Sequence, residues 1–436
     1  MKKYNTFLLI MILSIFFVVL LSCIGLIIFD SKISWMLIYI IVYLFLTIFF
    51  ITKEYSNIIN IKSLFVAFYT IMIGISPVVY YINNSNNYHF SCDYQFLIII
   101  IGYIFLLLGF YLPSLFKKKK STTKPDIIDN DKLIPHNKIN TFGILLFLIS
   151  TLMNFVYIYM NKALFFGSNL ESNRILAMSS NGLILLICGL NIISLGIIYE
   201  NLKRQGKKLT LFWLLFILTC LIYIIRGSRT AIFNLLLLII LIRNYYKPFK
   251  PKTMLMFLCG FIVILSLLQV FRTNMSNSNT KFNVQIYNNL QVNSINLNYI
   301  FNAFPSSINF QYGKTFLINI KMLLPGDDDD FTLWLKKSLK LDFSGGGVTP
   351  TILGEAYMNF GYFGIILIMF LTGRIAKSLN NRYLNNNKDK VWICYLTILL
   401  CSTFRSGYAN IEINLLVLCS LYIFYIIFLR KKGEAK

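Results

Sequence analysis

The chain has 436 residues, of which 57% are hydrophobic and only 13% charged, with a mean hydropathy of +0.67. That charged fraction is about half of the roughly 25% usual in soluble domains, and no soluble core hides so many Ile, Leu and Phe side chains, so a soluble enzyme is excluded. The 41 Lys and Arg against 17 Asp and Glu give a net charge of +24, which in a membrane protein reflects basic cytoplasmic loops before it suggests nucleic acid. A spanning helix takes about 20 apolar residues, and hydropathy marks twelve such spans in chain order. They fall at 6–29, 34–52, 63–82, 95–115, 141–160, 182–200, 210–225, 230–242, 254–271, 351–373, 391–404 and 411–429. The eighth and eleventh are short for a full crossing, so they extend into their polar flanks or are broken. Met1-Lys2-Lys3 before an apolar run resembles a signal peptide, but no small-residue cleavage site stands out and eleven apolar segments follow. The run is therefore expected to be a retained first helix.

With Lys2 and Lys3 inside, the loops alternate, and charge tests the alternation. Segments placed inside hold 28 of the 41 basic residues; segments placed outside hold 13, and 7 of those belong to one long loop, 272–350. Long loops cross largely regardless of charge, so the asymmetry supports twelve spans with both termini cytoplasmic. The expected fold is an all-α polytopic integral membrane protein, a single transmembrane domain over 1–436. Its one long outer loop carries short amphipathic helices that cap the outer face, because apolar stretches there are broken by Pro305, Pro325 and a Gly triplet. Lys117 to Lys138, with seven Lys and three Asp, reads as a cytoplasmic linker lying on anionic headgroups. Two His argue against a His-rich metal site, and with only Cys92 outside the apolar segments no disulfide framework is implied.

Outward Arg at span ends is the first chemical signal. Arg226 and Arg229 stand in Arg-Gly-Ser-Arg between two spans, Arg405 in the matching hinge between the last two, and Arg174 and Arg272 at outer span edges. Charge at membrane depth is costly and faces a cavity or a partner, and the guanidinium fork suits phosphate oxygens. The set reads as a diphosphate clamp, or else as snorkelling and pairing with Glu355, Asp342 or Glu412. The second signal is the junction 345–361. Gly345, Gly346 and Gly347 free backbone N–H groups to approach a ligand, Pro350 suits a first helical turn, and a helix N-terminus at the outer surface is an anion site. Glu355 and Asn359 are poorly explained as lipid-facing; Glu355 is either a general base towards a hydroxyl or a structural salt bridge to one of the arginines. Tyr312 and Lys314, in Tyr312-Gly313-Lys314-Thr315, contact sugar or phosphate or belong to an incidental Gly turn. Asp327 to Asp330 lacks a second Asp-rich partner and reads as a solvated turn before a metal site.

Together, Arg-Gly-Ser-Arg-Thr at 226–230, Tyr312-Gly313-Lys314-Thr315 with Leu324-Pro325, Gly-Gly-Gly-Val-Thr-Pro-Thr-Ile-Leu-Gly-Glu-Ala-Tyr-Met-Asn-Phe-Gly at 345–361, and Phe404-Arg405-Ser406-Gly407 resemble the Wzy-type repeat-unit polymerases of bacteria, which build O-antigen of lipopolysaccharide and capsule. The resemblance covers about 210–430; residues 1–200 match in hydropathy alone. It implies a membrane glycosyltransferase of the GT-C-like kind, at the outer face of the bacterial cytoplasmic (inner) membrane. The growing chain leaves its undecaprenyl diphosphate and joins the non-reducing end of a new undecaprenyl-diphosphate-linked oligosaccharide. That lipid diphosphate is itself the leaving group, so no cofactor is implied; Arg226, Arg229 and Arg405 stabilise its charge, and Glu355 or a neighbour takes the acceptor's proton. A chain-length regulator and a flippase are the implied protein partners, and nucleic acid is not. Two rivals stand beside it. A lipid-linked oligosaccharide flippase should show two related halves and little need for a 79-residue outer loop. An O-antigen ligase shares donor and loop, and the sequence separates it poorly.

Overall fold

A computed structural model describes residues 32–54, 60–83, 92–113, 136–162, 182–249, 282–321, 330–343, 347–385, 390–409 and 411–429, and the statements below concern these. Every regular element among them is helical: α1 (Lys32–Glu54), α2 (Ile61–Tyr69), a π segment (Thr70–Gly74), α3 (Ser76–Asn83), α4 (Cys92–Tyr111), α5 (His136–Met160), α6 (Gly182–Arg204), α7 (Thr210–Ile225), α8 (Arg229–Tyr246), α9 (Phe282–Ala303), α10 (Thr315–Lys321), α11 (Phe331–Ser338), α12 (Thr351–Asn385), α13 (Lys390–Ser406) and α14 (Glu412–Leu429). Eight helical stretches are long and apolar enough to cross a membrane, and α7 is a shorter apolar helix. Ten of the twelve expected spans fall on helices; 6–29 and 254–271 lie outside the described residues. The eighth expected span does extend into its flanks, as α8.

Apolar side chains cover the outside as well as the core. Leu44 and Ile48 on α1, Leu148 and Leu152 on α5, Leu214 and Leu221 on α7, and Ile423 and Ile427 on α14 are all exposed. Soluble monomers rarely tolerate apolar patches of that extent; here they are the lipid-facing surface of a multi-pass membrane protein. Between helices, small residues permit the close approach on which membrane packing depends. The α4–α12 crossing is the clearest case: a Cβ on Gly109 would overlap the backbone of Phe370 and Gly373, and one on Gly373 would overlap Leu106 and Gly109.

The π segment explains the position of α9. Widening the helix at Thr70–Gly74 turns carbonyls away from their usual partners. The Tyr39 hydroxyl takes the Gly74 carbonyl (2.6 Å), and Asn293 Nδ2 of α9 takes that of Met72 (2.7 Å). Next to this contact the Ser294 amide donates to Ser76 Oγ (2.9 Å), and Gln95 bonds to both Ser294 and Asn298. The sequence leads one to expect only short helices in 272–350. This holds for α10 and α11, with seven and eight residues, but α9 has 22. Its Asn293, Ser294, Asn296 and Asn298 side chains are buried and hydrogen-bonded to other segments, which hydropathy scores as loop.

α12 is a hairpin rather than one rod. Phe360 leaves the helical region and Gly361 adopts φ 60°, ψ −143°, a conformation open essentially to Gly. Residues 351–359 then double back on 362–385. Both arms run beside α4 in opposite senses: Tyr357 and Tyr362 both meet Tyr94, whereas Leu353 and Met369 both lie against Gly102, two turns further along. The short arm therefore begins level with the middle of α4. This corrects the expectation of a helix N-terminus at the outer surface. The freed carbonyls of Met358 and Asn359 accept the amides of Gln311 (2.9 Å) and Tyr312 (3.2 Å), so residues 310–314 strap the tip of the hairpin.

Candidate functional site

Glu355 sits in the short arm of α12, 1% exposed. Its carboxylate accepts the backbone amides of Tyr408 and Ala409 (the latter at 3.1 Å) and the Thr315 hydroxyl (3.3 Å). One turn on, Asn359 donates to Thr315 Oγ1 (2.6 Å) and to the Glu355 carbonyl (2.8 Å), and accepts the Gly313 amide (2.8 Å). From α10, Asn319 donates to the Ala409 carbonyl (2.7 Å) and accepts the Phe331 amide (2.8 Å) that opens α11. Three chain segments distant in sequence are thus locked around one carboxylate. Gly407 makes the approach possible: at φ 78° it supports the turn after α13, and a Cβ there would overlap Glu355. The carboxylate is held by backbone amides and a hydroxyl, and not by an arginine among the described residues. The Tyr408 hydroxyl bonds to Thr372 Oγ1 (2.8 Å), and burial pushes its pKa up to about 12, so it serves as a neutral hydrogen-bonding group.

A second polar cluster surrounds Arg226, at the turn between α7 and α8. Its guanidinium lies over the rings of Tyr157 (4.9 Å) and Tyr223 (5.9 Å) and donates to Asn154 Oδ1 (2.5 Å). Asn154 is fully buried and is itself fixed, donating to the Ser150 carbonyl (2.8 Å) and the Cys188 carbonyl (3.2 Å). Two aromatic faces and one amide hold the plane of the guanidinium. Its Nε is buried and has no partner among the described residues.

Arg229 and Arg405 come to the same end of the bundle by register. At the other end the Lys390 ammonium lies 3.0 Å from the centre of the Tyr245 ring, and the Tyr383 hydroxyl bonds to the Leu241 carbonyl (2.8 Å). From Tyr245 to Arg229 along α8, and from Lys390 to Arg405 along α13, the chain travels 16 and 15 residues, about 24 and about 22 Å of helix. Arg229 is half-buried at the start of α8, and Arg405 is exposed, three residues before the Tyr408 amide that Glu355 accepts.

The remaining sequence-derived residues divide three ways. Tyr312 and Lys314 are exposed on the strap over the α12 tip, with Gly313 and Thr315 between and beside them tied to Asn359 and Glu355. Gly347 has a packing reason: a Cβ would overlap Thr332 of α11, whose carbonyl accepts the Val348 amide (3.0 Å). Gly345, Gly346, Arg174 and Arg272 lie outside the described residues, as do Asp327 to Asp329; Asp330 caps α11 by accepting the Leu333 amide (2.7 Å). Sequence reasoning misses Asn154, Tyr157 and Tyr223. A polar Asn inside the fifth apolar span was the available signal, since such residues face a partner or a cavity.

A family model described as O-antigen polysaccharide polymerase Wzy matches residues 10–432. The match extends through the first 200 residues, where hydropathy alone had suggested likeness. No curated protein and no solved structure matches the chain. Nearly the whole of it is covered by the family model, and the chain belongs to that family.

Proposed function

From that membership we propose that the protein is a membrane glycosyltransferase of the GT-C kind, joining undecaprenyl-diphosphate-linked oligosaccharide repeat units into O-antigen, capsule or a related surface polysaccharide. It works at the outer face of the bacterial cytoplasmic membrane, with twelve spans, both termini inside and 272–350 outside, beside a flippase that delivers its substrate and a chain-length regulator. The convergence of Arg226, Arg229 and Arg405 at one end of the bundle supports this reading most.

The acceptor hydroxyl oxygen attacks the anomeric carbon of the donor glycan, the bond from that carbon to the diphosphate oxygen breaks, and the hydroxyl's proton passes to the departing diphosphate or to solvent. The electron pair leaves with the diphosphate, whose growing charge meets the arginines; donors preorganised in this way act by electrostatics. Arg226 offers a guanidinium whose plane is held by two rings and whose buried Nε has no partner among the described residues. Glu355 takes a positioning part in the proposal, because its oxygens are engaged by Tyr408, Ala409 and Thr315. It holds the turn after Arg405 and, through Thr315, the strap that carries Tyr312 and Lys314 towards sugar.

Deleting the gene in its host and sizing the surface glycan on a gel tests the reading. A ladder reduced to a single attached repeat is expected, restored by wild type and not by Arg229→Ala at equal membrane level. Loss of even the single repeat would overturn it: polymer stranded on lipid diphosphate would mark a ligase, and lipid-linked repeats trapped inside a flippase.

A further inference from the structure

A cavity of about 200 Å³ lies between α6, α13 and α14. Leu185, Gly189 and Ile193 form its α6 wall, Tyr395 stands on α13, and Asn414 and Leu421 on α14. It is larger than the roughly 150 Å³ apolar cavity known to take benzene. Eight residues separate Leu185 from Ile193, so the wall runs about 12 Å down the helix. Mostly apolar side chains line it, half-buried on α6 and α14, and Asn414 stands where α14 begins, two residues after Glu412.

Two observations say what fills it. Leu185 is shared: it lines the cavity and also packs on Tyr157 and Cys188, the ring and the helix turn that hold the Arg226 cluster. The apolar slot therefore lies one side chain away from the Arg226 cluster, whose buried Nε has no partner among the described residues. A slot in the membrane interior with a cation at its head fits an amphiphile with an anionic head and a hydrocarbon chain. Gly189 is the second observation. A side chain built there would meet nothing within 4 Å, although Gly costs up to about 1 kcal/mol against Ala inside a helix. Packing between helices does not require this glycine, and its absent side chain widens the slot.

Resting on the polymerase reading, we propose that this groove seats the first isoprenoid units of the lipid-linked substrate, so that the attached diphosphate lies against Arg226. The groove then sets the depth of the reacting bond as well as affinity. A chain fixed beside Leu185 and Gly189 brings its diphosphate to the α7–α8 turn, and the sugar beyond it towards the strap at 310–314.

The purified protein in lipid nanodiscs, treated with a polyprenyl diphosphate carrying a diazirine on its first isoprenoid units and mapped by mass spectrometry, provides the test. Label is expected on α6 around Gly189 and on α14 up to Leu421. Unlabelled polyprenyl diphosphate should compete and phosphatidylglycerol should not. Gly189→Trp should cut labelling by roughly tenfold or more, the scale of filling part of a hydrophobic pocket, whereas Leu214→Trp on the exposed face of α7 should not. The labelling map needs no variant, so it stands if Gly189→Trp folds poorly. Label elsewhere, or equal displacement by phosphatidylglycerol, would overturn the groove assignment. If gene deletion collapses the ladder while Gly189→Trp makes normal polymer, the groove fails and the polymerase reading survives; if deletion leaves the ladder intact, the polymerase reading itself fails.

Discussion

The polar cluster around Glu355 and the one around Arg226 are both buried, and they differ in completeness. No side-chain polar atom of Glu355, Asn359, Thr315 or Asn319 is left buried without a partner. Around Arg226 the bonds stop short: its Nε lacks a partner among the described residues, and so does Nδ2 of Asn191, whose side chain accepts from Ser150. A satisfied network rigidifies, whereas an orphaned buried donor in a native structure calls for an explanation. The first cluster fastens the chain together; in the function proposed above, the second is completed by the diphosphate of the lipid-linked substrate.

Four experiments put that contrast at risk. The largest effect is expected at Arg226. Arg226→Ala should lower polymerisation by about a hundredfold or more, the scale of one preorganised donor, and Arg226→Lys should restore little because an ammonium lacks the planar fork. Gel ladders at matched protein level read this, and a wild-type ladder from Arg226→Lys would erase the distinction. Next comes Gly361→Ala. The left-handed backbone at the α12 tip and the Phe310 ring against it should make it destabilising by about 2 kcal/mol or more, seen as a lower unfolding midpoint in detergent. Glu355→Ala leaves two amides without an acceptor, at about 1–3 kcal/mol, while Glu355→Gln keeps an acceptor and should recover most of the midpoint and of the turnover. A Glu355→Gln protein that unfolds normally but makes no polymer would reverse the comparison, making the carboxylate a proton acceptor. Smallest is Asp330→Ala, which removes the α11 cap for about 1 kcal/mol and should leave ladder length unchanged.

Much of this was legible in the sequence, for reasons that differ along the chain. Apolar runs give α1, α4, α5, α6 and α14 directly, since lipid and core both demand hydrocarbon. The string 345–361 stands out because Gly, Glu and Asn interrupt an apolar stretch, and the structure gathers Glu355 and Asn359 with Thr315. Neither the hairpin in α12 nor the partners of Glu355 could be read there, because the donors are backbone amides that every residue carries. α9 is invisible to hydropathy, since its burial rests on Asn293, Ser294 and Asn298 bonding to other helices. Arg226 is conspicuous in the sequence; Asn154 and Tyr157, some 70 residues earlier, become its neighbours only through the packing of α5 against α6.

The strap across the α12 tip is tied by Gln311 and Tyr312 through amide and carbonyl alone. Such ties do not register which side chain they carry, so Gln311 can change widely provided it does not become proline, which has no amide hydrogen to offer; Tyr312, at φ 47°, is further held to residues that tolerate the left-handed region. In the function proposed above, substrate preference is then open to revision at the exposed Tyr312, within the residues its backbone allows, while the path of the chain stays put. Gly361, beneath it, has no such latitude. The fold separates a surface that selection can revise from a hinge that it must keep.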